Sequence, residues 1–348
     1  KLSGMAENIV KQEIVLVCLA KFVKAVTQIE KKKLLQKKLE MKILGIGNAI
    51  VDVICKVNDN FLINNSLTKS TMKLVDEKEF QKLLENLKIE RTISGGSVAN
   101  SIVGLSQLGN EVGFIGKVSD DHLGRKYAEG LEREKVKYHY NIKSESIPTG
   151  TCLILITPDS ERTMCTFLGT AGKISEIDID EKIVKQSKIT FLEGYLWDRG
   201  DPQKAFNKAI SNSSQSAMSL SDLFCVERHR EYFLDLVKRK LDITFANEQE
   251  IISLIKTKNF KDVIDFAKKI KKLIIVTRGE NGAMAIQNDI VVECNAEKNL
   301  KITDLTGAGD LFAAGFLHGY VNKLSLEESL KKGTELSSKI IQQVGARL

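Results

Sequence analysis

Proline is scarce, with three residues against 24 glycines, so no proline-rich linker divides the chain. Long apolar runs are missing too. The longest early one, Ile14 to Ala20, spans seven residues, whereas a membrane-spanning helix needs about 20. The six cysteines (18, 55, 152, 165, 225 and 294) contain no CxxC pair, and the four histidines (122, 139, 229 and 318) contain no HxxxH spacing. That pattern argues against a zinc site and against a disulfide framework. Cysteines so isolated read as reduced residues of a cytoplasmic protein. Aromatic residues make up only 6%, which offers few platforms for stacking bases. Positive charge is also thin in the main body. Nine lysines against four glutamates place +5 of the net +7 in residues 1–40, leaving +2 for residues 41–348. Without a basic footprint, neither nucleic acid nor a membrane is an expected partner of the main body.

The chain of 348 residues, 43% hydrophobic and 28% charged, has the composition of a globular protein of one large or two modest domains. Residues 1–40 differ from the rest. Ile14 to Glu40 reads as an amphipathic helix ending in lysines, either a surface or targeting segment or a dispensable extension, and the extension is the expected reading. From Met41 onward, short apolar runs alternate with amphipathic helices. Ile43 to Ile46, Ile243 to Ala246 and Leu273 to Val276 read as strands covered on both faces. Val98, Ile102 and Leu105 follow helical spacing, with Gly109 at the expected end, and Ile251 to Ile270 reads as helical. The expected fold is therefore α/β, a mainly parallel central sheet with helices on both faces. Val51 to Val57 and Gly150 to Thr157 break the alternation and suggest a small β-sheet lid, discontinuous in sequence, from about 53–75 and 142–170.

Four segments carry candidate chemistry. Gly45-Ile46-Gly47 is not a dinucleotide fingerprint, because Ile50 stands where the third glycine belongs. Gly116-Lys117 is not a phosphate-binding P-loop, because Glu111 and Val118 break it. Asp304-Leu305-Thr306-Gly307-Ala308-Gly309-Asp310 precedes the apolar helix Leu311 to Tyr320. Small residues at a helix start leave N–H groups free for an anion, and Asp310 then sits beside that anion. It either takes a proton from an attacking hydroxyl or merely complements the helix dipole. Gly95-Gly96-Ser97-Val98-Ala99-Asn100 opens another helix, either as a plain turn or with Asn100 serving sugar hydroxyls as donor and acceptor. Asn247-Glu248-Gln249-Glu250 is either an ordinary acidic helix start or a holder of magnesium waters near phosphate. Thr277 to Ala283 reads by itself as a hairpin-like loop.

In this order and at these separations, the four segments resemble the ribokinase-like (PfkB) family of small-molecule kinases, from about Lys42 to Arg347. The resemblance implies an ATP-dependent phosphotransferase acting on a primary hydroxyl. It implies that Gly307, Ala308 and Gly309 form an anion hole for the moving γ-phosphoryl group and that Asp310 is the catalytic base. Asn247 and Glu250 match the residues associated with Mg²⁺, and Thr277 and Gly279 match the loop that borders ATP. Adenosine kinases are the nearest likeness. That branch implies Asn48 and Asp52 on the ribose, Gly95, Gly96, Ser97 and Asn100 around the sugar, and Arg162 of the lid approaching the phosphates. The expected cofactors are ATP and Mg²⁺, with a monovalent cation (K⁺) as a further candidate near Leu305, and the expected assembly is a monomer or homodimer. Adenosine is the expected acceptor, a free sugar or sugar acid the alternative, and a non-catalytic ligand-binding protein the remote third reading.

Overall fold

The structure is a computed structural model that describes residues 23, 24, 26–28 and 41–348, apart from 86 and 160. The chain separates into two units, residues 1–40 and residues 41–348. In the first, the described residues between 23 and 28 are helical; the rest of the expected helix from Ile14 to Glu40 lies outside the described residues.

Among the described residues, the second unit is built on fourteen strands. In chain order they are β1 (Ile43–Ile46), β2 (Val51–Lys56), β3 (Met72–Leu74), β4 (Ile89–Ser94), β5 (Val112–Ile115), β6 (Lys137–Tyr138), β7 (Thr151–Ile156), β8 (Arg162–Phe167), β9 (Ile189–Glu193), β10 (Ser216–Ser219), β11 (Ile243–Asn247), β12 (Leu273–Thr277), β13 (Ala283–Gln287) and β14 (Ile290–Cys294). Nine of them form one sheet in the order β14-β13-β12-β11-β10-β9-β1-β5-β6. Every pair from β12 to β6 is parallel, and β13 and β14 add an antiparallel edge.

The apolar runs are continuous because both faces of this sheet are buried. Ile43, Ile243, Phe245, Leu273 and Ile275 pack into the core on one face, against the helices Ser97–Gln107, Ala308–Val321 and Leu326–Ile340. Leu44, Ile46, Ile274 and Val276 face the other core, against Asp201–Asn212, Leu223–Asp235, Glu248–Ile255 and Phe260–Ile270. The expected helical stretch from Ile251 to Ile270 is thus two helices. Lys256 adopts a left-handed φ of 56°, and the Asn259 side chain caps the second helix through Lys261 N–H. Gly45 lets the Ser97–Gln107 helix lie close to β1, since a Cβ there would stand 2.8 Å from Val98 Cγ1.

A second sheet, in the order β3-β8-β7-β2-β4, mixes parallel and antiparallel pairs. On β2, Val51, Val53 and Cys55 are buried while Asp52 and Ile54 are half-buried, the expected alternation. The central β7 is buried on both faces instead: Leu153 and Leu155 join the main core, while Cys152 and Ile154 pack with Ile50 and Ala171. β4 belongs to this sheet as well and delivers the chain to the paired glycines. No helix among the described residues is long and apolar enough to cross a membrane.

Candidate active site

In open α/β sheets, ligands bind beyond the carboxyl ends of the parallel strands. Here β1 ends at Ile46 and its neighbour β9 at Glu193, whose side chain is 1% exposed. Glu193 Oε1 accepts from Asn48 N (3.2 Å) and Asn48 Nδ2 (2.9 Å), and Oε2 accepts from Val98 N (2.9 Å). One carboxylate therefore joins the turn after β1 to the first turn of the Ser97–Gln107 helix. Burial pushes it up to about 7, against the pull of these three donors.

The paired glycines are required by close approach. Gly96 has a φ of +98°, and a side chain there would run into Asn48 O. At Gly95 a Cβ would lie 2.6 Å from the carboxylate carbon of Asp52. Asp52 itself is pushed up to about 7, chiefly by burial and also by the Asp310 charge, with the guanidinium groups of Arg347 and Arg162 opposing.

Asp310 lies in the first turn of the Ala308–Val321 helix. Ser97 Oγ donates to its Oδ1 at 2.6 Å, and Asn100 Nδ2 donates to its Oδ2 at 3.0 Å. Burial still pushes it up to about 6, so the helix start does not keep this carboxylate as weakly basic as its position alone implies. Both ends of Asn100 are engaged in this arrangement, since its Oδ1 accepts from Arg347 Nε at 2.9 Å.

Before the helix, Gly307 adopts a φ of +80° with Ala346 packed where a Cβ would be, 2.7 Å from the Ala346 Cα. The Ala308 amide turns back to Leu305 O at 3.2 Å. Around Gly309 the space is open. Asp304 anchors this loop: Oδ1 accepts from Thr306 N (3.0 Å) and Oγ1 (2.7 Å), and Oδ2 from Gly345 N (2.8 Å) and, as an ion pair, Arg162 Nη2 (2.8 Å). These four contacts take up about all the acceptor positions that a carboxylate offers.

Asn247 and Glu250 form a capping box. Asn247 Oδ1 accepts from Glu250 N at 2.8 Å, while Glu250 accepts from Asn247 N at 3.0 Å and Nδ2 at 2.7 Å. The ordinary helix-start geometry is thus present, and both residues also line the cavity. Glu250 is 4% exposed, and burial, with the Asp222 charge behind it, pushes its carboxyl up to about 7. No group of three or more His, Cys, Asp or Glu side chains suited to a metal ion occurs among the described residues.

One cavity of about 610 Å³ collects most of these groups. Asn48, Asp52, Gly96, Ser97, Asn247, Glu250, Thr277 and Gly307 to Asp310 lie on its wall; Gly95, Asn100, Arg162 and Gly279 do not. Gly95 makes room for Asp52, Asn100 stands behind Asp310, and Arg162 holds Asp304. Gly279, with a φ of +57°, shapes the turn after β12, where Arg278 stacks on Phe260 at 4.2 Å and bonds Glu248 at 3.0 Å. Two side chains bonded to the site residues escaped sequence reasoning. Glu193 lies in no motif, and its only signal is a carboxylate ending an apolar strand. Arg347 lies beyond every motif.

A family model described as pfkB family carbohydrate kinase matches residues 67–348. The chain belongs to this pfkB family. Among solved structures, it is similar to adenosine kinase from Sinorhizobium meliloti, at 36% identity with a TM-score of 0.82, covering 89% of this chain and 96% of that one. A probable sugar kinase from Rhizobium etli is similar at 37% identity and a TM-score of 0.81, over 89% and 95% of the two chains. Adenosine kinase 2 of Arabidopsis thaliana is 26% identical over 87% of this chain and 94% of its own. This pfkB protein is an adenosine kinase-like enzyme, an ATP-dependent kinase that phosphorylates a hydroxyl group.

Proposed function

We propose that the enzyme transfers the γ-phosphoryl group of ATP to the 5′-hydroxyl of a nucleoside, with adenosine as the acceptor. The observation that carries this reading is the cavity itself. It holds Asp310 beside the glycine loop, Asp52 within the same space, and an apolar wall of Ile50, Leu74, Met164 and Leu168 from and beside the small sheet. A carboxylate that can accept from two adjacent hydroxyls, next to an apolar surface, suits a ribose joined to a flat base.

Phosphoryl transfer passes through a loose transition state, so positioning and charge stabilisation do most of the work. Asp310 receives the proton of the attacking hydroxyl, its carboxylate oriented by Ser97 and Asn100. The helix N-terminus behind Gly309 favours the charge on the moving group. Asn247 and Glu250 would hold Mg²⁺, most simply through water, with Thr277 beside the nucleotide. The fit rests on Glu250, a buried carboxylate on the cavity wall with neutral donors but no cation. When bound, the ion neutralises phosphate charge. Closure of the small sheet excludes water that would otherwise be phosphorylated.

A kinase for a free sugar is the second reading, supported by the probable sugar kinase relative and by Glu193 as a further carboxylate on the wall. A panel of acceptors with labelled ATP separates the two. Adenosine should exceed 2′-deoxyadenosine by about tenfold or more in kcat/KM, from the charge-assisted bond lost at Asp52, and Asp52→Ala should narrow that gap. Free ribose and fructose should be poor. Efficient turnover of a free hexose, with none of any nucleoside, overturns the nucleoside reading.

A further inference from the structure

The segment after the last helix (Leu326–Ile340) runs back against the Gly307 loop. Thr303 and Asp304 donate their N–H groups to Ile341 O at 2.8 and 3.1 Å, and Gly345 N–H donates to Asp304 Oδ2 at 2.8 Å. Ala346 packs on Gly307. These attachments bring the next side chain behind the reacting carboxylate. Arg347 Nε donates to Asn100 Oδ1 at 2.9 Å, and Asn100 Nδ2 donates to Asp310 Oδ2 at 3.0 Å. Neither Arg347 nor Asn100 lines the cavity.

We propose that Arg347 is a positioning residue for Asp310, acting through the Asn100 amide; this rests on the reading of Asp310 as the base. An ionised carboxylate only accepts hydrogen bonds, so Asn100 serves Asp310 only when its NH₂ end points that way. The amide is nearly symmetric in shape, and shape alone does not stop it turning over. A guanidinium has donors only. By taking Oδ1 it leaves the NH₂ end for Asp310. With Arg347 removed, the amide can turn and set oxygen against oxygen.

The charge of Arg347 acts in the same direction, favouring the ionised forms of both Asp310 and Asp52 against their burial. The other titratable groups that feel Asp310 are Asp52 on β2, Glu193 on β9 and Tyr195 just beyond it, while Arg162 on β8 bears on Asp52. Among the described residues that act on Asp310, Arg347 supplies the positive charge. Arg347 Nη2 is shut away from solvent with no acceptor among the described residues. An unmade bond of that kind is costly, which is poor economy for a contact serving stability alone.

The test compares Arg347→Met, Arg347→Gln and Arg347→Lys in the full chain, using adenosine and ATP. The Asp310 carboxyl is titrated in parallel by carbon NMR without ligands, its signal identified by loss in Asp310→Asn. Arg347→Met should lower kcat at pH 7 by about tenfold, less than the roughly 10²-fold or more of losing the base itself, with the KM for ATP within about twofold. The acid limb of kcat and the Asp310 titration should both move up by about half a pH unit or more. Gln, a donor without charge, should recover part of kcat but keep the raised limb, and Lys should restore the limb. Unchanged kcat, or a kcat loss with the Asp310 titration unmoved, overturns the inference. If the Met variant does not fold, identical limbs for Gln and Lys overturn it. Full activity of Asp310→Asn overturns the base reading and this inference with it; a dead Asp310→Asn beside an unmoved titration overturns this inference alone.

Discussion

The backbone of Gly95 passes so close to Asp52 that a Cβ there would lie 2.6 Å from the carboxylate carbon. The glycine thus sets how far Asp52 reaches into the cavity. Gly95→Ala should push that carboxylate aside, at an overpacking cost of about 1–3 kcal/mol. We expect kcat/KM for adenosine to fall about tenfold or more, as for a lost charge-assisted bond, with the KM for ATP nearly unchanged. Steady-state kinetics with each substrate varied in turn checks this. A variant that keeps its adenosine kinetics would remove Asp52 from the sugar site.

Asp310→Asn should keep the fold and nucleotide binding yet lower kcat by at least about 10²-fold, the lower range for a positioned base. The wild-type enzyme should show an acid limb set by the same group. Asp310 is pushed up to about 6 by burial and takes a proton only when ionised, so kcat should rise with pH through about 6 and level off above 7. A profile flat from pH 5 to 8 would argue against Asp310 as the base.

Glu193→Gln tests the buried hub. The carboxylate accepts three hydrogen bonds, from Asn48 N, Asn48 Nδ2 and Val98 N, shared between its two oxygens. Glutamine has one oxygen, and its NH₂ group must face at least one of these donors. Leaving a buried donor unpaired costs about 1–3 kcal/mol. Thermal melting should register that loss, together with weaker adenosine binding as Asn48 and Ser97 shift. Unaltered melting would mean that the hub is not strained by the change.

Arg162 joins the small sheet to the loop before the glycines. Its side chain is 12% exposed and that of Asp304 only 7%, and removing one partner of such a pair costs about 3–5 kcal/mol. Arg162→Ala should therefore melt earlier. It should also seal the cavity less well, so that more ADP is released than acceptor is phosphorylated. Measuring both products in one reaction decides the point, and a ratio held at unity counts against Arg162 as part of the seal.

The runs Ile43 to Ile46, Ile243 to Ala246 and Leu273 to Val276 were legible as strands because burial on both faces demands unbroken apolar sequence. The helix starts at Ser97 and Ala308 were legible for the opposite reason, since glycine stands where a side chain would collide or φ is positive. The break at Lys256 was passed over although the polar run Lys256-Thr257-Lys258-Asn259 interrupts the apolar spacing, since the apolar residues on either side each keep helical spacing. The left-handed Lys256 and the Asn259 cap end one helix and start the next. β4 was missed for want of an apolar run, as only Ser94 at its end is buried.

The chain's local pattern determined the buried strands and the glycine-led helix starts, and placed acid and amide side chains beside those starts. Tertiary structure alone decided which donor meets which acceptor. Glu193 meets Asn48 across 145 positions, and Arg347 meets Asn100 across 247. Periodicity records what each residue buries. Such distant partners are set by strand order and by the return of the last segment beneath the Gly307 loop, and neither leaves a local trace in the sequence.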